Sequence, residues 1–309
     1  MRKVIQALYH LITTLISINR LNIGNSLKKE IGATWFKVFF LKRYDYKNRT
    51  STILGFKVKF LRYYEFTYLF KEIFLDNEYY FVAGKKNPYI IDCGSNIGMS
   101  ILYFKMLYPN SRIVAFEPLE ETYFCLNENV KNNHLNSIVT HNVALSNRKG
   151  TIDLYYDKEN TGCLRTSTKQ ERMPKQRRSV AVTLLSKHID EDVDFLKIDI
   201  EGAELEVLEE VNSAGKLGYI KQMVIEYHHH VLRESDVFSK ILRLLEDAGF
   251  GYQIESKLRR PLMREEYQDI IVYAYRKNPL PDTYKKYKDL EGITSKISEH
   301  PILNMKWEG

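Results

Sequence analysis

A ten-residue run, Tyr89-Ile90-Ile91-Asp92-Cys93-Gly94-Ser95-Asn96-Ile97-Gly98, constrains the architecture of this chain more than any other feature. A short apolar strand ends in an acid, two spaced glycines follow, and the chain then turns helical. A second acid, Glu117, closes the next apolar run, Ile113-Val114-Ala115-Phe116, and is followed by Pro118. A Rossmann-like sheet holds a nucleoside in this way. The glycines let the backbone approach the ligand, and the second acid grips ribose hydroxyls. The glycines are spaced G-x-x-x-G, not G-x-G-x-x-G, so no pyrophosphate cradle is encoded. The expected ligand is a nucleoside without phosphates. S-adenosylmethionine is the leading candidate, and a nicotinamide-dependent oxidoreductase is disfavoured.

From Tyr89 onward, strands alternate with helices. Ile97 to Leu107 reads as a helix stopped by Pro109. Tyr123, Leu126 and Val130 mark one face of the next helix, and Ile138 to Leu145 reads as a third strand. Val193 to Ile200 is a strand followed by a helix over Ala203 to Val211. Gln222 to Tyr227 is a strand, and Val237, Ile241, Leu245 and Ala248 mark a helix ended by Gly249. Gly251 to Ser256 and Asp269 to Tyr275 are two strands joined only by a loop. The expectation is a mainly parallel sheet with right-handed crossovers and an antiparallel edge hairpin.

The expected organisation is an N-terminal extension over residues 1–85, an α/β domain over 86–276 and a tail over 277–309. The extension is mostly helical and rich in aromatics, with a hairpin expected over Ile53 to Phe60. Val4, Leu8, Leu11 and Leu15 form one face of an amphipathic helix, a candidate for packing on the body or for peripheral membrane contact. No stretch reaches the roughly 20 apolar residues of a transmembrane helix. The net charge is +7, and Arg165, Lys169, Arg172, Lys175, Arg177 and Arg178 face a single acid, Glu171, in a stretch that reads as a mobile basic loop. Its charge suits a phosphorylated or lipid-linked acceptor. The three cysteines, Cys93, Cys125 and Cys163, lack metal-type spacing and are odd in number. A disulfide framework is disfavoured and a reducing cytoplasm is expected.

Two further runs carry candidate chemistry. In Phe195-Leu196-Lys197-Ile198-Asp199-Ile200-Glu201-Gly202-Ala203-Glu204, Lys197 and Asp199 put two charges on one face of a central strand. Such charges are costly unless paired. They sit toward the carboxyl end, where open α/β sheets bind ligands. Glu201 and Glu204 are expected to interact with the following helix N-terminus. In Met223-Val224-Ile225-Glu226-Tyr227-His228-His229-His230, Glu226 ends an apolar strand and His228 follows at the pocket rim. Asp199, Glu226 and His228 together are candidates to deprotonate a hydroxyl or to hold a divalent cation. Asn142 and Ser146 flank the end of the third strand, as candidates either to edge the adenine pocket or to form a turn.

Taken together, these runs resemble the FkbM family of S-adenosylmethionine-dependent methyltransferases. The matching stretches are Ile91 to Gly98, Phe116-Glu117-Pro118, Leu126-Asn127-Glu128-Asn129-Val130, Asn142-Val143-Ala144-Leu145-Ser146 and Leu196 to Glu204, in order over roughly residues 88–275. The resemblance implies a seven-stranded class I methyltransferase fold and O-methylation of a sugar or natural-product hydroxyl. It assigns Asp92, Gly94, Asn96 and Gly98 to the methionine side of the cofactor and Glu117 to the ribose; Ser95, Asn142 and Ala144 complete the expected cofactor-binding residues. Family members often carry alanine where this chain has Ser95, a change that adds a hydroxyl near the cofactor.

The reaction expected is in-line displacement at a sulfonium carbon, with Asp199, oriented by Lys197, assisting removal of the hydroxyl proton. Glu226 or His228 is the alternative base or metal ligand. A nucleic-acid methyltransferase shares the cofactor site but needs a base pocket or an RNA-binding module, and neither is visible. A non-catalytic cofactor-binding scaffold is the remaining alternative.

Overall fold

The computed structural model describes residues 14, 18–19, 21, 24–42, 44–45, 47–156, 176–229, 237–256 and 268–277. The tail, most of the amphipathic segment 1–18, Cys163, His230 and the four basic residues from Arg165 to Lys175 lie outside them.

The centre is a seven-stranded sheet. Its strands are β3 (Tyr89–Cys93), β4 (Arg112–Phe116), β5 (Ile138–His141), β9 (Phe195–Ile198), β10 (Gln222–His229), β11 (Phe250–Ser256) and β12 (Gln268–Arg276). Their spatial order is β11-β12-β10-β9-β3-β4-β5. Strands β3, β4, β5, β9 and β10 pair in parallel, whereas β12 runs antiparallel to both β10 and β11. This is the class I methyltransferase arrangement. The chain runs outward from β3 through β4 to β5, then returns to place β9 on the other side of β3. That reversal opens a crevice at the carboxyl ends of β3 and β9, where an open α/β sheet takes its ligand. Every residue of β3 and β9 is buried, as a strand covered on both faces requires.

Helix α1 (Asn25–Phe39), a hairpin of β1 (Thr50–Ile53) and β2 (Phe56–Lys59), and helix α2 (Tyr63–Phe70) precede the sheet, and α2 runs on into a π-helical turn, Lys71–Leu75. They cover one sheet face together with α3 (Met99–Leu107) and α4 (Glu120–Asn132). Trp35, Phe66, Phe70 and Phe74 share a continuous apolar cluster with Ile90, Phe104, Phe195 and Val224. On the opposite face, α5 (Glu204–Ser213) and α6 (Phe238–Asp247) bury Val207, Leu208, Ile241 and Leu245 against Ile91, Leu196, Ile198 and Ile225. In α6 the apolar spacing of Ile241 and Leu245 gives one buried stripe. Thr14 accepts a hydrogen bond from the Trp35 indole at 2.9 Å, fixing one point of the segment before α1. No helix among the described residues is long and apolar enough to cross a membrane.

Three expectations need correction. The third strand is not continuous from Ile138 to Leu145. It splits at Asn142 into β5 of the main sheet and β6 (Ala144–Leu145), which pairs with β8 (Gln176–Thr183) in a separate three-stranded sheet with β7 (Gly150–Tyr156). Asn142 marks the split because its amide donates to the carbonyls of Glu117 and Pro118, taking the chain out of the ladder. Arg177 and Arg178 belong to β8, not to a loop. Arg178 makes two 2.8 Å contacts with Glu121, and Arg177 lies 3.3 Å from Asp153. Finally, β9 stops at Ile198, so Asp199 lies beyond the strand, although its N–H still donates to Cys93 O at 3.0 Å.

Candidate functional site

The turn after β3 is shaped by contacts that tolerate no side chain at Gly94. Gly94 has φ +87°, and a Cβ there would sit 1.8 Å from Asp199 O. Its N–H and that of Ser95 both donate to Phe116 O, at 3.0 and 2.9 Å. The turn is thus locked between β4 and the loop after β9. Gly94→Ala is expected to cost about 3 kcal/mol or more, because left-handed strain adds to a backbone clash that no rotamer relieves. A urea unfolding series would read this as a lowered midpoint. Gly98, at φ +85°, opens α3.

Glu117 follows β4 and is buried. One carboxylate oxygen accepts from Asn96 N–H at 2.9 Å. The other accepts from Leu119 N–H at 3.0 Å and from the Thr122 hydroxyl at 2.7 Å. Burial pushes this carboxyl above its usual range, while Thr122, Leu119 and Asn96 pull the other way. A carboxylate has about four acceptor sites, so three donors leave one open toward the cleft. Glu117 therefore first builds the pocket, by tying the Gly94–Asn96 turn to the start of α4.

Lys197 is the buried cation of the site, with 2% of its side chain exposed. Its ammonium donates to Gly94 O at 2.8 Å and lies 3.4 Å from Asp92 Oδ1 and 3.3 Å from Asp199 Oδ2. Burial opposes its charge, but Asp199, Asp92 and Glu226 outweigh burial and hold the ammonium above the ordinary lysine range. Asp92 is fully buried. Its Oδ2 accepts from the Ser100 hydroxyl at 2.5 Å, while Oδ1 has no hydrogen-bond donor. The pairing of Lys197 with Asp199 is thus present, with Asp92 as a second partner.

Beside it lies a group from two other elements. Glu226 and His228 sit two apart on β10 and so share one face. His228 Nδ1 is 3.0 Å from Glu204 Oε1, and Nε2 is 3.2 Å from Glu201 Oε2 and 3.8 Å from Asp199 Oδ1. One ligand atom each from Asp199, Glu226 and His228 lies within 4.8 Å of the others. Burial, then the Asp199 charge, pushes the Glu226 carboxyl well above its usual range, with His228 opposing. Two details differ from expectation. Glu226 does not end its strand, which continues to His229, and His228 is 4% exposed, buried instead of lying at a rim. The hairpin partner β12 prolongs β10 and covers both residues. Glu204 accepts from Gly202 N–H, as a helix-terminus acid does, but also holds His228.

These elements enclose a cleft of about 940 Å³, counting its open mouth. Gly94, Ser95, Asn96, Glu117, Ala144, Lys197 and Asp199 line it. At one end Phe116, Leu119, Val143, Leu145 and Leu154 form apolar walls, and at the other Ser95, Ser100, Lys197, Asp199 and Glu201 supply the polar groups. Asp92, Gly98 and Asn142 are not on its wall. Asp92 lies behind the turn against Lys197, Gly98 packs against Leu126, and Asn142 braces the Glu117-Pro118 carbonyls. Glu226 and His228 stand beside the acid end.

Sequence reasoning missed Tyr79, Leu69 and Ile73, which reach the cleft from the N-terminal segment. Tyr79 is 4% exposed, its hydroxyl donates to Glu226 Oε2 at 3.4 Å, and its ring lies 5.0 Å from the Lys197 ammonium. Burial, Asp199 and Glu226 raise its phenol well above the usual range, so it stays a neutral donor. No sequence signal pointed to these three residues; the π-helical turn Lys71–Leu75 that carries Ile73, a feature frequent at functional sites, is not readable from residue spacing.

Residues 92–252 match the family described as methyltransferase FkbM domain. Methyltransferase sdnD of Sordaria araneosa is 30% identical over 218 residues, covering 60% of this chain and 82% of that protein. Methyltransferase 1 of Beauveria bassiana is 27% identical over 212 residues, covering 62% and 83%. Among solved structures, TYW2 of M. jannaschii in complex with AdoMet aligns with a TM-score of 0.41 at 12% identity, over 74% of this chain and 85% of that one.

Proposed function

This chain belongs to the FkbM methyltransferase family and is an S-adenosylmethionine-dependent methyltransferase, and from that premise we propose that it methylates a hydroxyl oxygen of a sugar, glycan or related polyhydroxyl compound. One observation carries this reading. Asp199 presents a carboxylate that is 23% exposed in the cleft, while its other side is held by a buried ammonium. A carboxylate so placed can accept the proton of a weakly acidic hydroxyl, a poor nucleophile until that proton leaves.

The residues fit the cofactor. The apolar end suits adenine. The acid end, with Asp199 and Glu201 in the cleft and Asp92 behind the turn against the same lysine, complements a cationic sulfonium. Gly94, Ser95 and Asn96 hold the methionine side, and Glu117 offers its open acceptor site to the ribose. The bound cofactor supplies an electrophilic methyl group, whose bond to sulfur breaks as the bond to the acceptor oxygen forms. The protein's part is to orient and to dry the site. Lys197 fixes Asp199, Asp199 takes the hydroxyl proton, and Tyr79, Leu69 and Ile73 exclude water from that side. A nucleic-acid acceptor has less support, because phosphates drawn into the cleft would meet Asp199 and Glu201.

The test is incubation with methyl-labelled cofactor and a panel of monosaccharides, oligosaccharides and RNA, followed by mass spectrometry and NMR of the labelled product. A methyl ether on a saccharide oxygen is the expected outcome. Label on a base nitrogen or carbon would overturn the proposal.

A further inference from the structure

The groups beside the acid end have a geometry that base catalysis alone does not explain. Asp199, Glu226 and His228 place one ligand atom each within 4.8 Å of one another, and Asp199 of the three lines the cleft. A histidine that binds a metal through one ring nitrogen nearly always gives its other N–H to a carboxylate, which fixes its tautomer and aim. His228 has this arrangement. Its Nδ1 is 3.0 Å from Glu204, itself 1% exposed, leaving Nε2 toward Asp199 and Glu201. Glu204 is otherwise an unusual residue to bury at the first position of a helix.

A second observation comes from the neighbouring strand. Asp269 stands directly opposite His228 in the β10–β12 register, so its side chain lies on the same face as Glu226 and His228. Its Oδ1 is buried and has no hydrogen-bond partner. Glu226 and Asp199 converge with a single histidine, and Lys197 is shared between Asp199 and Asp92. Converging, desolvated carboxylates of this kind are costly unless a cation joins them.

We propose that Asp199, Glu226 and His228 form a divalent-cation site of the Mg²⁺ or Mn²⁺ class at the acceptor end of the cleft, with Glu204 as the carboxylate that orients His228. The oxygen-rich donor set suits hard cations, which keep open positions for substrate oxygens. The site deepens the O-methylation reading and rests on it. A cation there would hold two neighbouring hydroxyls of the acceptor and ease loss of the proton from one of them.

The experiment is a Mn²⁺ titration of the tag-free full chain by electron paramagnetic resonance, without cofactor or acceptor. S-adenosylhomocysteine binding is measured separately on the same samples by calorimetry. One saturable Mn²⁺ per chain is expected, weakened about tenfold or more in Glu226→Gln and His228→Ala, and about tenfold in Glu204→Gln. The double substitution His229→Ala, His230→Ala should leave it intact. The proposal is overturned if the wild-type chain shows no saturable signal at millimolar Mn²⁺. It is equally overturned if Glu226→Gln and His228→Ala bind as tightly as wild type, or if the His229/His230 pair alone accounts for binding. Loss of S-adenosylhomocysteine binding in the wild-type chain would tell against the methyltransferase reading instead, whatever the Mn²⁺ result.

Discussion

Glu117→Ala should weaken S-adenosylhomocysteine binding by a factor of about 100 or more, while Glu117→Gln should cost about tenfold. The difference follows from what the carboxylate holds. Its oxygens accept from Asn96 N–H, Leu119 N–H and the Thr122 hydroxyl, so alanine releases the Gly94–Asn96 turn as well as the ribose contact. Glutamine keeps one acceptor oxygen but places an N–H₂ where a donor already points. Calorimetric titration of the three proteins reads both numbers, and alanine binding within threefold of wild type would refute the ribose role. The pH dependence has a definite sign. Burial raises the Glu117 carboxyl, so on acidification it takes up a proton earlier than an ordinary glutamate. Affinity that depends on the carboxylate is present above that range and declines as pH falls through it. In Glu117→Gln this decline should be absent.

The cofactor half of the site was readable in the sequence because its constraints are local. Gly94 must lack a side chain for a backbone reason, and Glu117 reaches Asn96 across two adjacent strands whose order is set by their short connections. The split at Asn142 was not readable, since the apolar run from Ile138 to Leu145 continues through it and only the amide contacts to Glu117 and Pro118 break it. The strand containing Arg177 and Arg178 was also hidden. Arg177 points away from the small core of Leu154, Val180 and Val182, and Arg178, on the same face as the two valines, is occupied by Glu121, so their charges masked a half-buried alternation. Tyr79 was hidden for a different reason. Its position depends on how the N-terminal helices pack across the sheet, an arrangement of contacts far apart in sequence. The acid-rich run from Lys197 to Glu204 lies between these cases. Its charges announced a site, but which carboxylate meets Lys197 and which meets His228 is decided by the pairing of β9 with β3 and β10.

Asp199→Asn should lower kcat by a factor of about 100 to 10,000 while leaving the dissociation constant for S-adenosylhomocysteine within about threefold of wild type. The amide has the same shape, and its carbonyl can still accept from Lys197, now at 3.3 Å from Oδ2. What it cannot do is take a proton, and that loss falls on the transition state alone. Two competing readings predict different patterns. If Asp199 only orders the loop after β9, the amide should preserve most of the turnover, because Asp199 N–H still donates to Cys93 O. If Asp199 instead grips the cofactor, affinity and turnover should fall together. Lys197→Met separates positioning from proton transfer. It leaves Asp92, which is fully buried, without its cation, and it also removes the donor to Gly94 O. Truncating one partner of a buried pair costs several kcal/mol, about 3–5, so Lys197→Met should lower the thermal midpoint as well as kcat. Asp199→Asn, with a side chain 23% exposed, should lower kcat with little change in that midpoint. An Asp199→Asn protein that binds cofactor normally and turns over at the wild-type rate would remove Asp199 from the chemistry and pass the proton to Glu226 or His228.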